Sequence, residues 1–201
     1  MTNNIVVTGK GIICAIGNNC KEVTQSLKKQ KSGIASLQYL SSTHKQLPVG
    51  EVKLSTAEMR AITNITDNFI SRTTLMNIIA IKEALKESNI EKYITENKTT
   101  RIVLVNGTTV AGMDVTEKFF SQIKHSNTYL DCINYHTAGK CSEIISQYFN
   151  CFVDYITIST ACSSSANAII VGAEMLKNNE ADIVIAGGSE SLSIFHLNGF
   201  N

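Results

Sequence analysis

The stretch TACSSSA, residues 160–166, sets one thiol, Cys162, between a β-branched run and a helical run, with small residues around it. A cysteine that follows a strand and begins a helix lies close to the unpaired N–H groups of the first helical turn. Those partial positive charges favour the thiolate, the nucleophilic form of the side chain. The same N–H groups can also hold an oxyanion on a carbonyl attached to that sulfur. A sharp strand–helix turn needs small neighbours if a substrate is to approach, and Thr160, Ala161, Ser163, Ser164, Ser165 and Ala166 supply them. Residue types alone leave three readings open. The site is that of a condensing enzyme, that of a cysteine hydrolase, or a buried helix-starting cysteine with Ser163–Ser165 as plain capping groups.

Other chemistry-bearing patterns fall away on spacing. Gly9, Gly11 and Gly17 follow an apolar run, but position 14, where a dinucleotide fingerprint wants its third glycine, is Cys14. GGSES (187–191) lacks the Lys-Ser/Thr ending of a phosphate-binding loop. Both read as tight turns. The six cysteines (14, 20, 132, 141, 151 and 162) form no CxxC pair, and the histidines (44, 125, 136 and 196) stand at no zinc-ligand spacing beside them. We expect reduced thiols, five of them ordinary small apolar residues, and no metal or soluble redox cofactor.

Positioning Cys162 calls for strands that alternate with helices. Runs 4–8, 101–109, 152–160 and 181–191 are apolar or β-branched and read as strands, and VGEVK (49–53), after the one proline, Pro48, reads as another. Helical spacing is expected over 19–30, 70–88, 112–123, 137–149 and 163–179. The buried stripe of 70–88 is read as Leu75, Ile78, Ile79 and Leu85, and that of 163–179 as Ala166, Ile169, Ile170, Ala173 and Leu176. Several strands apolar on both faces predict an α/β layered fold, a central mixed sheet flanked by helices.

The bulk numbers narrow the function classes. In 201 residues, 43% hydrophobic and 17% charged, the composition is globular. A net charge of +1 gives no footprint for nucleic acid, and Lys21, Lys28, Lys29 and Lys31 read as a solvated helix face. No stretch has the length of a membrane span and the first residues do not read as a signal peptide, so a cytoplasmic protein without membrane insertion is expected. The last residues, SLSIFHLNGFN, stop in apolar sequence, which suggests a fragment.

Three ordered segments carry a resemblance. ITISTACSSSANAIIVGAEMLKNNEADIVIAGGSES (156–191) resembles the nucleophile region of the β-ketoacyl-[acyl-carrier-protein] synthases, condensing enzymes of fatty-acid and polyketide synthesis. IVVTGKGIICAIG (5–17) is similar to that family's opening strand and turn, and VNGTTVAGM (105–113) to its middle segment. The closing SIFHLNGFN looks most like the branch that makes aryl polyene and flexirubin-type pigments.

The resemblance implies a thiolase-like fold of two similar halves, of which residues 1–201 are the N-terminal one. It implies that Cys162 takes an acyl group from an acyl carrier protein as a thioester, and that its backbone N–H is an oxyanion donor. A malonyl-carrier thioester then loses carbon dioxide, and the enolate attacks the bound acyl carbonyl. The phosphopantetheine arm arrives on the carrier protein, so no cofactor is bound. Phe200 matches a position that gates the acyl pocket, and Val110 one that lines the acyl tunnel near the dimer interface. The family's catalytic histidines and supporting lysine belong to the second half. His136 and His196 match no catalytic motif, so this chain alone is expected to be inactive. A homodimer, or a heterodimer with a related subunit, is implied. The rival class is a non-catalytic partner of the chain-length-factor kind, which would usually lack the nucleophile.

Overall fold

The chain's computed structural model describes residues 4–123, 125 and 127–200. In chain order the helices are α1 (Cys20–Lys28), α2 (Thr56–Thr63), α3 (Arg72–Ser88), α4 (Ile90–Glu96), α5 (Met113–Ile123), α6 (Ala138–Phe149), α7 (Ser164–Lys177) and α8 (Ile194–Phe200). The strands are β1 (Ile102–Gly107), β2 (Asp154–Ile158) and β3 (Ile183–Gly188), all parallel, in the order β2-β1-β3.

β1 is buried at every position, which is why IVLVNG carries no polar alternation. Its side chains alternate between two cores. Leu104 joins Ile78, Ile81 and Leu85 of α3 and Cys141 and Ile145 of α6. Val103 and Val105 join Ala168 of α7 and Ala181 on the opposite face. The result is α3 and α6 on one side of the sheet and α7 on the other. Pairing brings Gly107 level with Ile158 and with Gly188, so the C-terminal ends of the three strands meet at one edge.

The helices begin and end where local chemistry dictates. Ser71 accepts the Thr74 N–H to start α3, and Asn89, in the left-handed region at φ 53°, closes it. Thr137 and Asn150 do the same for α6. α2 lies outside the predicted helices, although STAE carries its signal. Ser55 and Glu58 cap each other's backbone N–H in both directions. α4 and α8 are likewise additional to the helices expected from periodicity.

The α/β class with helices on both faces is what the sequence leads one to expect, but the described sheet is parallel rather than mixed. Residues 4–8 form no strand, and Val6 and Val7 are 70% and 87% exposed. The backbone that follows is satisfied by carboxylates of α3 instead of a ladder. The Lys10 N–H donates to Glu87 at 2.6 Å and the Ile12 N–H to Glu83 at 3.0 Å. Gly9 and Gly11 permit this, because a β-carbon on either would collide with the carbonyls of Ala84 and Ala80. Of VGEVK, only Val49 pairs, in an isolated bridge with Ala35.

α7 also buries a different face from the one expected. Ser164, Ala168 and Gly172 are buried against the sheet, while Ile169 and Ile170 are each 57% exposed. The helix is apolar almost all round, so periodicity does not choose the face. Size does: a β-carbon on Gly172 would lie 2.8 Å from the Val184 methyl, and only small residues let α7 approach β3 so closely. Among the described residues no helix is long and apolar enough to cross a membrane.

Candidate active site

β2 ends at Ile158, and the chain turns through a single 3-10 turn, Ala161–Ser163, directly into α7. Ala161 carries the strain of that turn at φ 51°, a left-handed conformation costly for a residue with a β-carbon. Cys162 follows it and is exposed. This is the strand–helix junction read from TACSSSA.

Ser163 and Ser164, behind the thiol, are not the plain helix caps of the buried-cysteine reading. The Ser163 side chain makes no capping bond to α7 and donates instead to the Thr160 carbonyl at 2.7 Å. The Ser164 hydroxyl donates to the Ala161 carbonyl at 2.7 Å and accepts the Thr160 N–H at 2.9 Å. Asn167 reaches back from the next turn to the Thr160 hydroxyl at 2.8 Å. Thr160 is thus tied from three side chains.

The loop after β1 faces this turn. The Thr109 hydroxyl lies 3.4 Å from both the Ala161 carbonyl and the Ser164 hydroxyl. Glu190, just past β3, holds that loop by accepting the N–H groups of Thr109 and Val110 at 2.7 and 3.1 Å. Val110 is half-buried in the turn between β1 and α5.

Phe200 stands apart from the thiol. It is 85% exposed at the end of α8 and lines a cavity of about 740 Å3 that Glu190, Asp114, Arg72 and His196 also line. Neither Cys162 nor Val110 is among the residues lining that cavity. The structure therefore brings Val110 to the loop beside the Cys162 turn and Phe200 to a separate cavity that Glu190 borders.

The histidines are engaged elsewhere. His136 Nδ1 pairs with the Thr116 hydroxyl of α5 at 2.8 Å, and His196 Nδ1 with Ser193 at 2.9 Å. Neither partner is Cys162. The other thiols are less available. Burial pushes Cys141 up to about 11, and it also raises Cys20, Cys132 and Cys151. Among the described residues, no three His, Cys, Asp or Glu side chains are grouped to hold a metal ion.

The sequence matches the family described as Beta-ketoacyl synthase, N-terminal domain, over residues 2–200. The chain belongs to that family. It is 29% identical over 199 residues to 3-oxoacyl-[acyl-carrier-protein] synthase 1 of Buchnera aphidicola subsp. Acyrthosiphon pisum, covering 94% of this chain and 48% of that protein. The ishigamide ketosynthase/chain length factor shares its fold with a TM-score of 0.79 at 18% identity, over 97% of this chain and 49% of that one. A type II polyketide ketosynthase, solved in complex with its acyl-carrier protein, aligns with a TM-score of 0.71 at 20% identity, over 96% and 53%. The chain thus spans about half the length of the relatives it matches.

Sequence reasoning missed the polar support beneath this ketoacyl-synthase junction. Asn106, buried at the end of β1, accepts from Asn77 of α3 at 2.5 Å and donates to Ser142 of α6 at 3.2 Å. Ser142 in turn pairs with Thr157 of β2 at 2.6 Å. The signal is an asparagine at the end of an otherwise apolar run, a residue that burial obliges to find partners.

Proposed function

We propose that this chain is the nucleophile-bearing half of a β-ketoacyl-acyl-carrier-protein synthase. The Cys162 thiolate attacks the carbonyl of an acyl-carrier thioester, and the carrier's phosphopantetheine thiol leaves. A malonyl-carrier thioester loses carbon dioxide, its carbanion attacks the Cys162-bound acyl carbonyl, and the Cys162 thiolate leaves as the β-ketoacyl chain forms. The backbone N–H of Cys162 is an oxyanion donor in both additions.

The observation that carries this reading is the exposed Cys162 immediately after strained Ala161, at the strand–helix junction of a chain that belongs to the ketoacyl-synthase family. Proton transfer and decarboxylation need positioned groups that His136 and His196 do not offer, so those steps are assigned to residues outside this chain. The chain by itself is then inactive in the full condensation.

The partners follow from the same reading. An acyl carrier protein delivers both substrates, as the complex named for one structural relative supports. The outer face of α7, with Ile169 and Ile170 open, is suited to cover by the second half of the fold, and a homodimer or a heterodimer with a related subunit completes it. Phe200 gates the acyl chain, and Val110 lines its path. Retention of Cys162 speaks against a purely non-catalytic subunit.

The test is acyl transfer to the protein as its native cell makes it. Incubation with an acyl-carrier thioester should add one acyl mass to the wild-type chain, mapped to the Cys162 peptide. Persistence of that adduct in a Cys162→Ala variant would sink the assignment.

A further inference from the structure

We infer that Ser164 is a positioning residue for acyl transfer, acting through the Ala161–Cys162 peptide and not on the substrate itself. The inference rests on the reading of Cys162 as the acyl-accepting nucleophile.

Ser164 is 4% exposed, whereas residues 161–163, 165 and 166 around it are all exposed. Its place is set from below, because its carbonyl carbon would lie 2.6 Å from a β-carbon on Gly107, so helix and strand backbones touch there. From that fixed point one hydroxyl grips both sides of the strained residue. It accepts the Thr160 N–H at 2.9 Å and donates to the Ala161 carbonyl at 2.7 Å.

The consequence lies in the next peptide plane. The described chain has no cis peptide bond, so the Ala161 carbonyl and the Cys162 N–H point in opposite directions within one rigid plane. Tying that carbonyl to Ser164 aims the Cys162 N–H away from the hydroxyl. Without the hydroxyl, the Ala161 carbonyl keeps only the Ser164 backbone N–H and the Thr109 hydroxyl at 3.4 Å, the Thr160 N–H loses its acceptor, and the hold on Ala161 at φ 51° and on the peptide plane that follows it is loosened. The thiol would stay exposed, but the N–H would no longer be held toward an oxyanion.

A thioester and an alkyl iodide separate these two effects. With octanoyl-N-acetylcysteamine, the Cys162 thiolate adds to the carbonyl carbon, an oxyanion forms, and the carbon–sulfur bond to N-acetylcysteamine breaks. That thiolate departs and takes a proton from water. With iodoacetamide, the sulfur displaces iodide and no oxyanion forms. Both rates are read at Cys162 by peptide mass spectrometry on the full natural protein, with thermal midpoints measured in parallel.

Ser164→Ala is expected to slow acylation about tenfold or more, as loss of an aimed oxyanion donor does, and to change alkylation less than about threefold. Ser164→Thr, which keeps the hydroxyl, is expected to restore acylation. Ser164→Cys keeps the shape with a weaker donor and should fall between them, and it carries the comparison if the alanine variant does not fold. Acylation of Ser164→Ala at the wild-type rate overturns the inference, as does an equal loss in both reactions or a cysteine variant that matches threonine. A wild-type protein that alkylates at Cys162 but takes no acyl group overturns the condensing-enzyme reading itself, and this inference with it.

Discussion

Gly107 and Ser164 meet backbone to backbone: a β-carbon on Gly107 would lie 2.6 Å from the Ser164 carbonyl carbon. Strand β1 and helix α7 are thereby locked together close to Cys162. The contact is with main chain, which cannot rotate aside.

Gly107→Ala should therefore destabilise the fold by about 3 kcal/mol or more, or leave it insoluble, since a rigid overlap has to be relieved by moving a helix. Gly139 offers the control. It is exposed in the first turn of α6, and a β-carbon there would meet nothing within 4 Å, so Gly139→Ala should be neutral or stabilise by about 0.5 kcal/mol. Urea titrations of both variants would check the contrast.

Asn106→Ala should cost about 2 kcal/mol, measured by the same titration. The change leaves the Asn77 amide without the acceptor it reaches at 2.5 Å, inside a layer buried from solvent. A variant as stable as wild type would show that the network beneath the site is ornamental.

Asp114 gives a pH dependence. Burial holds its carboxyl above the usual range, with the Arg72 N–H pulling the other way, and its Oδ1 has no hydrogen-bond partner among the described residues. With the folded value above the unfolded one, the native state holds the proton more tightly. Its contribution to stability is full below the unfolded value of an aspartate and is lost as pH rises through the folded one. Asp114→Asn keeps an acceptor for Arg72 and removes the buried charge. It should raise the thermal midpoint by about 2 °C at pH 8, with the gain shrinking toward pH 4. An identical shift at both pH values would refute the assignment.

Phe200, at 85% exposure, contributes little packing in this chain. Phe200→Ala should move the thermal midpoint by less than about 2 °C, while changing which acyl lengths the full protein accepts. Competition between short and long acyl-carrier substrates reads the second effect.

How much of this is legible in the sequence differs by residue. The Cys162 junction and the elements around it can be read from TACSSSA and from the β-branched or helical runs beside it, because strand, turn and helix are local properties of neighbouring residues. The α2 capping box is equally local, yet its helix is too short for hydrophobic periodicity to announce it. Residues 4–12 mislead because IVV has strand character, and nothing nearby in sequence reveals that Glu83 and Glu87 take the N–H groups of Ile12 and Lys10.

The order and type of residues by themselves determined an α/β chain with a thiol at a strand–helix turn. Tertiary structure decided which face of α7 is buried, since a helix apolar all round is sorted only by how closely a neighbour can approach, here Gly172 against Val184. It decided that Ser164 grips Ala161 rather than capping a helix, and that Glu190, 81 residues along the chain from Thr109, holds the loop beside the thiol. The contacts of Gly172 and Glu190 join residues apart in sequence, and only the assembled sheet sets the distances between them.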